Sequence, residues 1–188
     1  DTGKSWHPSK LATDRELWQG SVSTRNSIML IGGQRGVAAR SSDGGRHWTH
    51  VDTGSTEDLF GSYADERSGD LFLLGGNGVI LRSTDAGLHW QRIPSGTERA
   101  LRRMLRHPTM NALVAFGEFG SIVRSTDGGR SWQPIASGAD AELRKGLIEP
   151  DSGNMIIVGQ QGVILRSSDA GKSWHRIPSH THRHFRSA

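Results

Sequence analysis

Five of the six tryptophans, Trp6, Trp48, Trp90, Trp132 and Trp174, stand 42 residues apart with no insertion between them. A fixed step of this length marks a supersecondary unit copied along the chain, and about 40 to 50 residues is the range of a propeller blade. Other residues keep the same step. A Ser-x-Asp-x-Gly-x-x-Trp box recurs as Ser41-Asp43-Gly45-Trp48, Ser83-Asp85-Gly87-Trp90, Ser125-Asp127-Gly129-Trp132 and Ser167-Asp169-Gly171-Trp174, after a first copy reduced to Asp1-Gly3-Trp6. Paired glycines precede each complete box, at Gly33 and Gly36, Gly75 and Gly78, Gly117 and Gly120, and Gly159 and Gly162. An arginine stands directly before each box, at Arg40, Arg82, Arg124 and Arg166.

Each unit divides into four short strands, A to D. In the third unit, strand A is predicted near Leu101–Arg106, strand B near Ala112–Phe116, strand C at Ser121–Arg124 and strand D near Ser131–Ile135. Segments such as Leu71-Phe72-Leu73-Leu74 and Val163-Ile164-Leu165 are apolar on both faces, as a blade packed between two others requires. No segment carries apolar residues at a 3.6-residue spacing over ten or more positions, which excludes a helical solenoid. The fold class is therefore all-β, a single propeller over residues 1–188 built of four-stranded antiparallel blades. The blades fall at 16–51, 58–93, 100–135 and 142–177, with 1–8 and 184–188 assigned to incomplete blades. Those surplus pieces predict a larger parent of six or seven blades, or a ring completed by two or more chains. Open blade edges would invite self-association.

Within the box, serine and aspartate oxygens can accept from nearby backbone N–H groups and fix a tight turn, where glycine tolerates the positive φ. The tryptophan can fold back over that turn. Asp43, Asp85, Asp127 and Asp169, with Trp48, Trp90, Trp132 and Trp174, are accordingly assigned a structural role, not a metal-binding or catalytic one. Turns spaced around a ring cannot converge on one substrate. The arginine before each box is assigned a structural salt bridge or a hydrogen bond to backbone.

The paired glycines, the strand ending in arginine and the Ser-x-Asp-Gly-Gly-x-x-Trp box resemble the repeat of the photosystem II stability and assembly factors, a family of Asp-box (BNR) propellers. Arg124-Ser125-Thr126-Asp127-Gly128-Gly129-Arg130-Ser131-Trp132 is the copy most similar to that repeat. The resemblance implies a non-enzymatic binding scaffold that assists assembly of a membrane protein complex. It also implies a location outside the cytoplasm, in the periplasm or thylakoid lumen.

Charge narrows where such a scaffold would bind. The chain has a net charge of +4, and arginine outnumbers lysine 19 to 4. Arginine's planar fork suits bidentate capture of carboxylates and stacks on flat groups. At 12 and 13 residues past successive tryptophans stand Trp18-Gln19, Phe60-Gly61, Arg102-Arg103, Arg144-Lys145 and Arg186-Ser187. These open the innermost strand of the next blade, at the mouth of the central channel, and turn basic in the later units. Arg99, Arg102, Arg103, Arg144, Lys145 and Arg186 are the predicted partner-binding residues. The partner is a membrane protein complex or an acidic or extended segment of it. The arginine-rich patch with which the assembly factors engage their client is the counterpart that the resemblance implies. Nucleic acid is not expected, because no aromatic stacking residues interleave the basic strands.

The rival reading is an Asp-box glycoside hydrolase of sialidase type, or another carbohydrate-binding propeller. Sialidases use a tyrosine nucleophile with an acidic partner, and Tyr63 with Asp65 and Glu66 is the one local group of that kind. Arg92-Ile93-Pro94 and Arg176-Ile177-Pro178 follow box tryptophans, so they belong to strand D and do not reproduce the sialidase N-terminal motif. No phosphate-binding Gly-Lys-Ser/Thr loop occurs. Absence of cysteine rules out disulfides, a thiol nucleophile and cysteine-bound zinc. His180, His182 and His184 have metal-ligand spacing but read as tail or loop residues, so no metal and no cofactor is expected. No apolar run approaches the roughly 18 residues needed to span a bilayer as a helix.

Overall fold

The computed structural model describes residues 11–185. Lys4, Trp6, Lys10, the truncated first box and Arg186 lie outside the described residues. The first blade consists of β1 (Leu17–Ser23), β2 (Ile28–Gly33), β3 (Ala38–Ser41) and β4 (Thr49–His50). The second is β5 (Leu59–Ala64), β6 (Leu71–Gly75), β7 (Ile80–Ser83) and β8 (Gln91–Ile93). The third is β9 (Leu101–Arg106), β10 (Leu113–Gly117), β11 (Ile122–Ser125) and β12 (Gln133–Pro134). The fourth is β13 (Leu143–Ile148), β14 (Met155–Gly159), β15 (Ile164–Ser167) and β16 (His175–Arg176). Each is a separate antiparallel sheet with its strands in chain order. The first strands of the blades, β1, β5, β9 and β13, contact one another in succession.

Between the second and third strands the chain passes through a one-turn 3₁₀ segment whose residues show why the paired glycines are needed. The second glycine takes positive φ, as in Gly120 at +68°. A Cβ there would stand 1.7 Å from the carbonyl oxygen of Ala139. Only glycine accommodates both the conformation and the approach.

Alternate residues of each strand pack against the preceding and following blades. Leu30, Leu59, Leu71, Leu73, Val79 and Leu81 fill the first junction. Phe72, Leu74 and Ile80 meet Leu101, Leu113, Val123 and Trp132 in the second. Phe116, Leu143, Ile157 and Trp174 belong to the third. Phe72 meets Trp132 edge-on, with ring centroids 6.5 Å apart. Burying each such side chain stabilises by about 1.5–3 kcal/mol, so the junctions hold the blades in their radial order. The period of 42 also shows what the end blades leave uncovered. Phe72 and Ile80 are fully buried, whereas Ile156 and Ile164, at the same places two units on, are only half-buried. Ile177, the counterpart of buried Ile93, is 38% exposed.

Candidate functional site

The four innermost strands share one irregularity. The pairing of each with its neighbour slips at a single residue, between Leu17 and Gln19, between Leu59 and Gly61, opposite Phe116 and Gly117, and between Leu143 and Lys145. The residue passed over is Trp18, Phe60, Arg102 or Arg144. A β-bulge leaves one residue out of the ladder and re-aims its side chain. Here the four bulges turn those side chains into one hollow of about 550 Å³, lined also by Gln19, Arg103 and Glu142. The 12-residue offset from each tryptophan is thus the position of a bulge.

The hollow changes chemistry from one side to the other. Trp18 stacks on Phe60 with centroids 5.1 Å apart and planes 23° apart. Arg102 lies over Phe60 at 4.2 Å, an attractive cation–π arrangement. Beyond it the arginines meet carboxylates. Arg102 Nη2 is 2.6 Å from Glu118 and its Nε is 2.9 Å from Glu142, while Arg144 donates to the other oxygen of Glu142 at 2.9 and 3.0 Å. Gln160 also donates to Glu142. Arg103 differs from both: it donates to the carbonyl of Arg102 at 2.8 Å and forms no ion pair among the described residues. Burial, and then the neighbouring Arg102 charge, push its guanidinium down from the ordinary arginine value.

Of the residues expected at the mouth, Arg102, Arg103 and Arg144 line the hollow. Lys145 is exposed on β13 and does not line it. Arg99 sits in a neighbouring depression of about 420 Å³ with Glu57, Asp58, Glu98 and Glu118, stacked 4.7 Å above the Phe119 ring. The sequence reading missed Glu118 and Glu142. Glu142 stands ten residues after Trp132, just outside the two columns that draw attention. The signal was there in the turn Gly117-Glu118-Phe119-Gly120, the one paired-glycine turn with an acidic residue inside it.

The boxes lie elsewhere, and their aspartates are satisfied within each turn, whereas the indole N–H groups of Trp132 and Trp174 are buried without a partner among the described residues. In the third, Asp127 Oδ1 accepts from Ser125 Oγ at 2.8 Å and from the N–H groups of Arg130 and Ser131, and Oδ2 accepts from Ser131 Oγ at 2.6 Å. His47 and His89 take the place of that serine in the first two boxes, at 2.6 Å from Asp43 and Asp85. Backbone donation from these histidines, then their side chains, hold both aspartates well below the usual carboxylate range. Trp48 and Trp90 donate to the carbonyls of Gly45 and Gly87. Among the arginines before the boxes, Arg82 pairs with Asp70 and Arg124 donates to the carbonyl of Ala170 in the next blade.

The tyrosine group of the rival reading is also committed. Arg106 binds both oxygens of buried Asp65, which accepts from Ser68 as well. Burial, then the Asp65 charge, push the Tyr63 hydroxyl up to about 12. This is the wrong direction for a nucleophile. In the tail, His184 Nδ1 accepts from the N–H of Gln161 at 3.1 Å.

Comparison with known proteins places these repeats. The family model described as "Photosynthesis system II assembly factor YCF48" matches residues 106–183. No curated protein matches the chain. Among solved structures, YCF48 from Cyanidioschyzon merolae superimposes with a TM-score of 0.67 at 19% identity, covering 95% of this chain and 61% of that one. A structure described as YCF48 bound to D1 peptide gives 0.66 at 19% identity, over 91% and 57%. An ancestral GH74 enzyme gives 0.74 at 16% identity, over 92% and 25%. The chain therefore spans less than two thirds of each of these structures. At such identities the superpositions carry the fold, and the family-model match is confined to residues 106–183. The chain has the fold of a β-propeller, and its residues 106–183 are similar to the photosystem II assembly-factor repeat.

Proposed function

We propose that this chain is a non-enzymatic binding scaffold that captures an acidic or extended segment of a membrane protein complex at its channel mouth. The observation that carries the reading is the convergence of four bulge residues from four blades on one hollow holding Arg102, Arg103 and Arg144. Guanidinium groups beside an aromatic wall recognise carboxylates bidentately and give the segment a flat surface to lie on. That a YCF48 propeller has been seen with a D1 peptide supports a segment of a membrane protein as the kind of client. The assembly-factor resemblance also supports a location outside the cytoplasm.

A hydrolase reading has the GH74 superpositions behind it, and this chain spans about a quarter of the ancestral enzyme. A glycosidase needs two carboxyl groups flanking the scissile bond. Among the described residues Glu142 is the one carboxylate lining the hollow, held between two arginines, and nearby Glu118 is paired with Arg102. The scaffold reading is preferred for that reason.

The test is an affinity pull-down from detergent-solubilised membranes, comparing the chain with an Arg102→Glu/Arg144→Glu variant. Recovery of a membrane complex by the unaltered chain and its loss in the variant is the expected result. Equal recovery by both would remove the mouth from the mechanism.

A further inference from the structure

Glu142 occupies a position whose backbone does the same work in every blade. The carbonyls of Glu16, Asp58, Ala100 and Glu142 accept from the N–H of Gln34, Gly76, Glu118 and Gln160, at 2.8 to 2.9 Å. Ala100 fills that role with no side chain to contribute, so the fold does not call for a carboxylate here. Where acidic side chains do occur, two are used locally. Glu16 accepts from the Trp18 indole at 3.1 Å, and Asp58 accepts from the Arg35 N–H at 2.8 Å. Glu142 alone of this set lines the hollow, with one oxygen on Arg102 and the other on Arg144. A client carboxylate aimed at those two arginines would have to take this place.

We infer that Glu142 is a built-in competitor that sets which anions the mouth accepts. The inference rests on the mouth being the client site. A lone carboxylate arriving there finds Arg102 and Arg144 already paired and only Arg103 without a carboxylate. Displacing Glu142 returns one ion pair for each one lost, so a single acidic group gains little. A segment with two or more acidic side chains can replace Glu142 between Arg102 and Arg144 while a second group reaches Arg103. The partner class is thus an acidic segment of several closely spaced carboxylates. Isolated acidic residues, which occur on most protein surfaces, are discriminated against because Glu142 already holds the two arginines they would need.

The test uses two capped, fluorescein-labelled peptides, one of six glutamates and one with a single glutamate among glycines and serines. Fluorescence anisotropy at low salt reads binding to the full chain. The unaltered chain is expected to bind the six-glutamate peptide and to bind the other weakly. Glu142→Ala, the residue that Ala100 shows is tolerated, should tighten binding of the single-glutamate peptide by about tenfold, the scale of a close charge pair at an interface. Adding Arg103→Gln should reverse much of the six-glutamate binding. Glu142→Gln, checked with its melting curve, repeats the measurement if the alanine variant folds poorly. Unchanged affinities in both Glu142 variants, with six-glutamate binding still lost in Arg102→Glu/Arg144→Glu, would overturn the competitor and leave the mouth as the client site. Full six-glutamate binding by that charge-reversed variant would overturn both.

Discussion

A box aspartate holds its turn with both oxygens, and its acidity records how strongly. Burial pushes Asp127 up, but the Ser131 side chain and N–H, with Ser125, more than offset this and hold it at about 2. Asp169 is held at about 2 in the same way by Ser173 and Ser167. A carboxyl group whose folded value lies below its unfolded value of 3.8 stabilises the fold above that value. The contribution is lost as pH falls through about 2. Asp127→Ala should lower stability by about 1–2 kcal/mol at neutral pH, the usual cost of removing an aspartate that caps backbone N–H groups. The gap between the melting curves of the two proteins should stay constant above about pH 4 and narrow toward pH 2. Client binding should be unaffected, since the boxes lie away from the mouth. This much of the residue scale was legible beforehand, because a turn requirement repeated in four copies leaves the same letters in four places.

Blades are joined by more than apolar packing. Arg106 at the end of β9 reaches across to Asp65 beside β5, with side chains 11% and 1% exposed. Removing the cation strands a carboxylate away from water, so Arg106→Leu should cost about 3–5 kcal/mol in denaturant unfolding. Asp65→Asn in the same chain should recover part of that loss. The strand boundaries of the third blade, drawn from the repeat, fall within a residue or two of those found. The bulges did not announce themselves, because a slipped pairing is a property of two strands and neither sequence alone records it. The 42-residue repeat singles out the column Trp18, Phe60, Arg102 and Arg144, but does not show that each member is a bulge residue. It also left out Glu142, because a carboxylate ten residues past a tryptophan acquires meaning only when two guanidinium groups from separate blades arrive beside it.

At the scale of the molecule, charge and end faces govern behaviour in solution. Client capture through Arg102, Arg103 and Arg144 should weaken steeply as salt is raised from 50 to 300 mM, since partly exposed ion pairs are screened over about a Debye length. An affinity that ignored salt would assign binding to the Trp18–Phe60 wall instead. The described blades end on faces whose inner counterparts are fully covered, Ile156 and Ile164 at one end and Met29 and Ile31 at the other. These half-buried apolar faces are expected to mediate self-association. Ile156→Glu with Ile164→Glu should lower the weight-average mass in sedimentation equilibrium. The propeller architecture was readable from periodicity. The neighbours of these faces were not, because a repeat specifies each junction and says nothing of how many junctions there are.

The bulge column has a consequence for how such a mouth changes. Every blade offers one socket at the same height, and the backbone that builds it is indifferent to what stands there, having accepted an indole, a phenyl ring and two guanidinium groups. If the proposed client is held at this mouth, its recognition is spelled in four letters on an unvarying frame. Duplicating or transposing a single 42-residue unit would therefore rotate the pattern of flat and charged groups around the channel by one blade in a single genetic event, with no core residue altered.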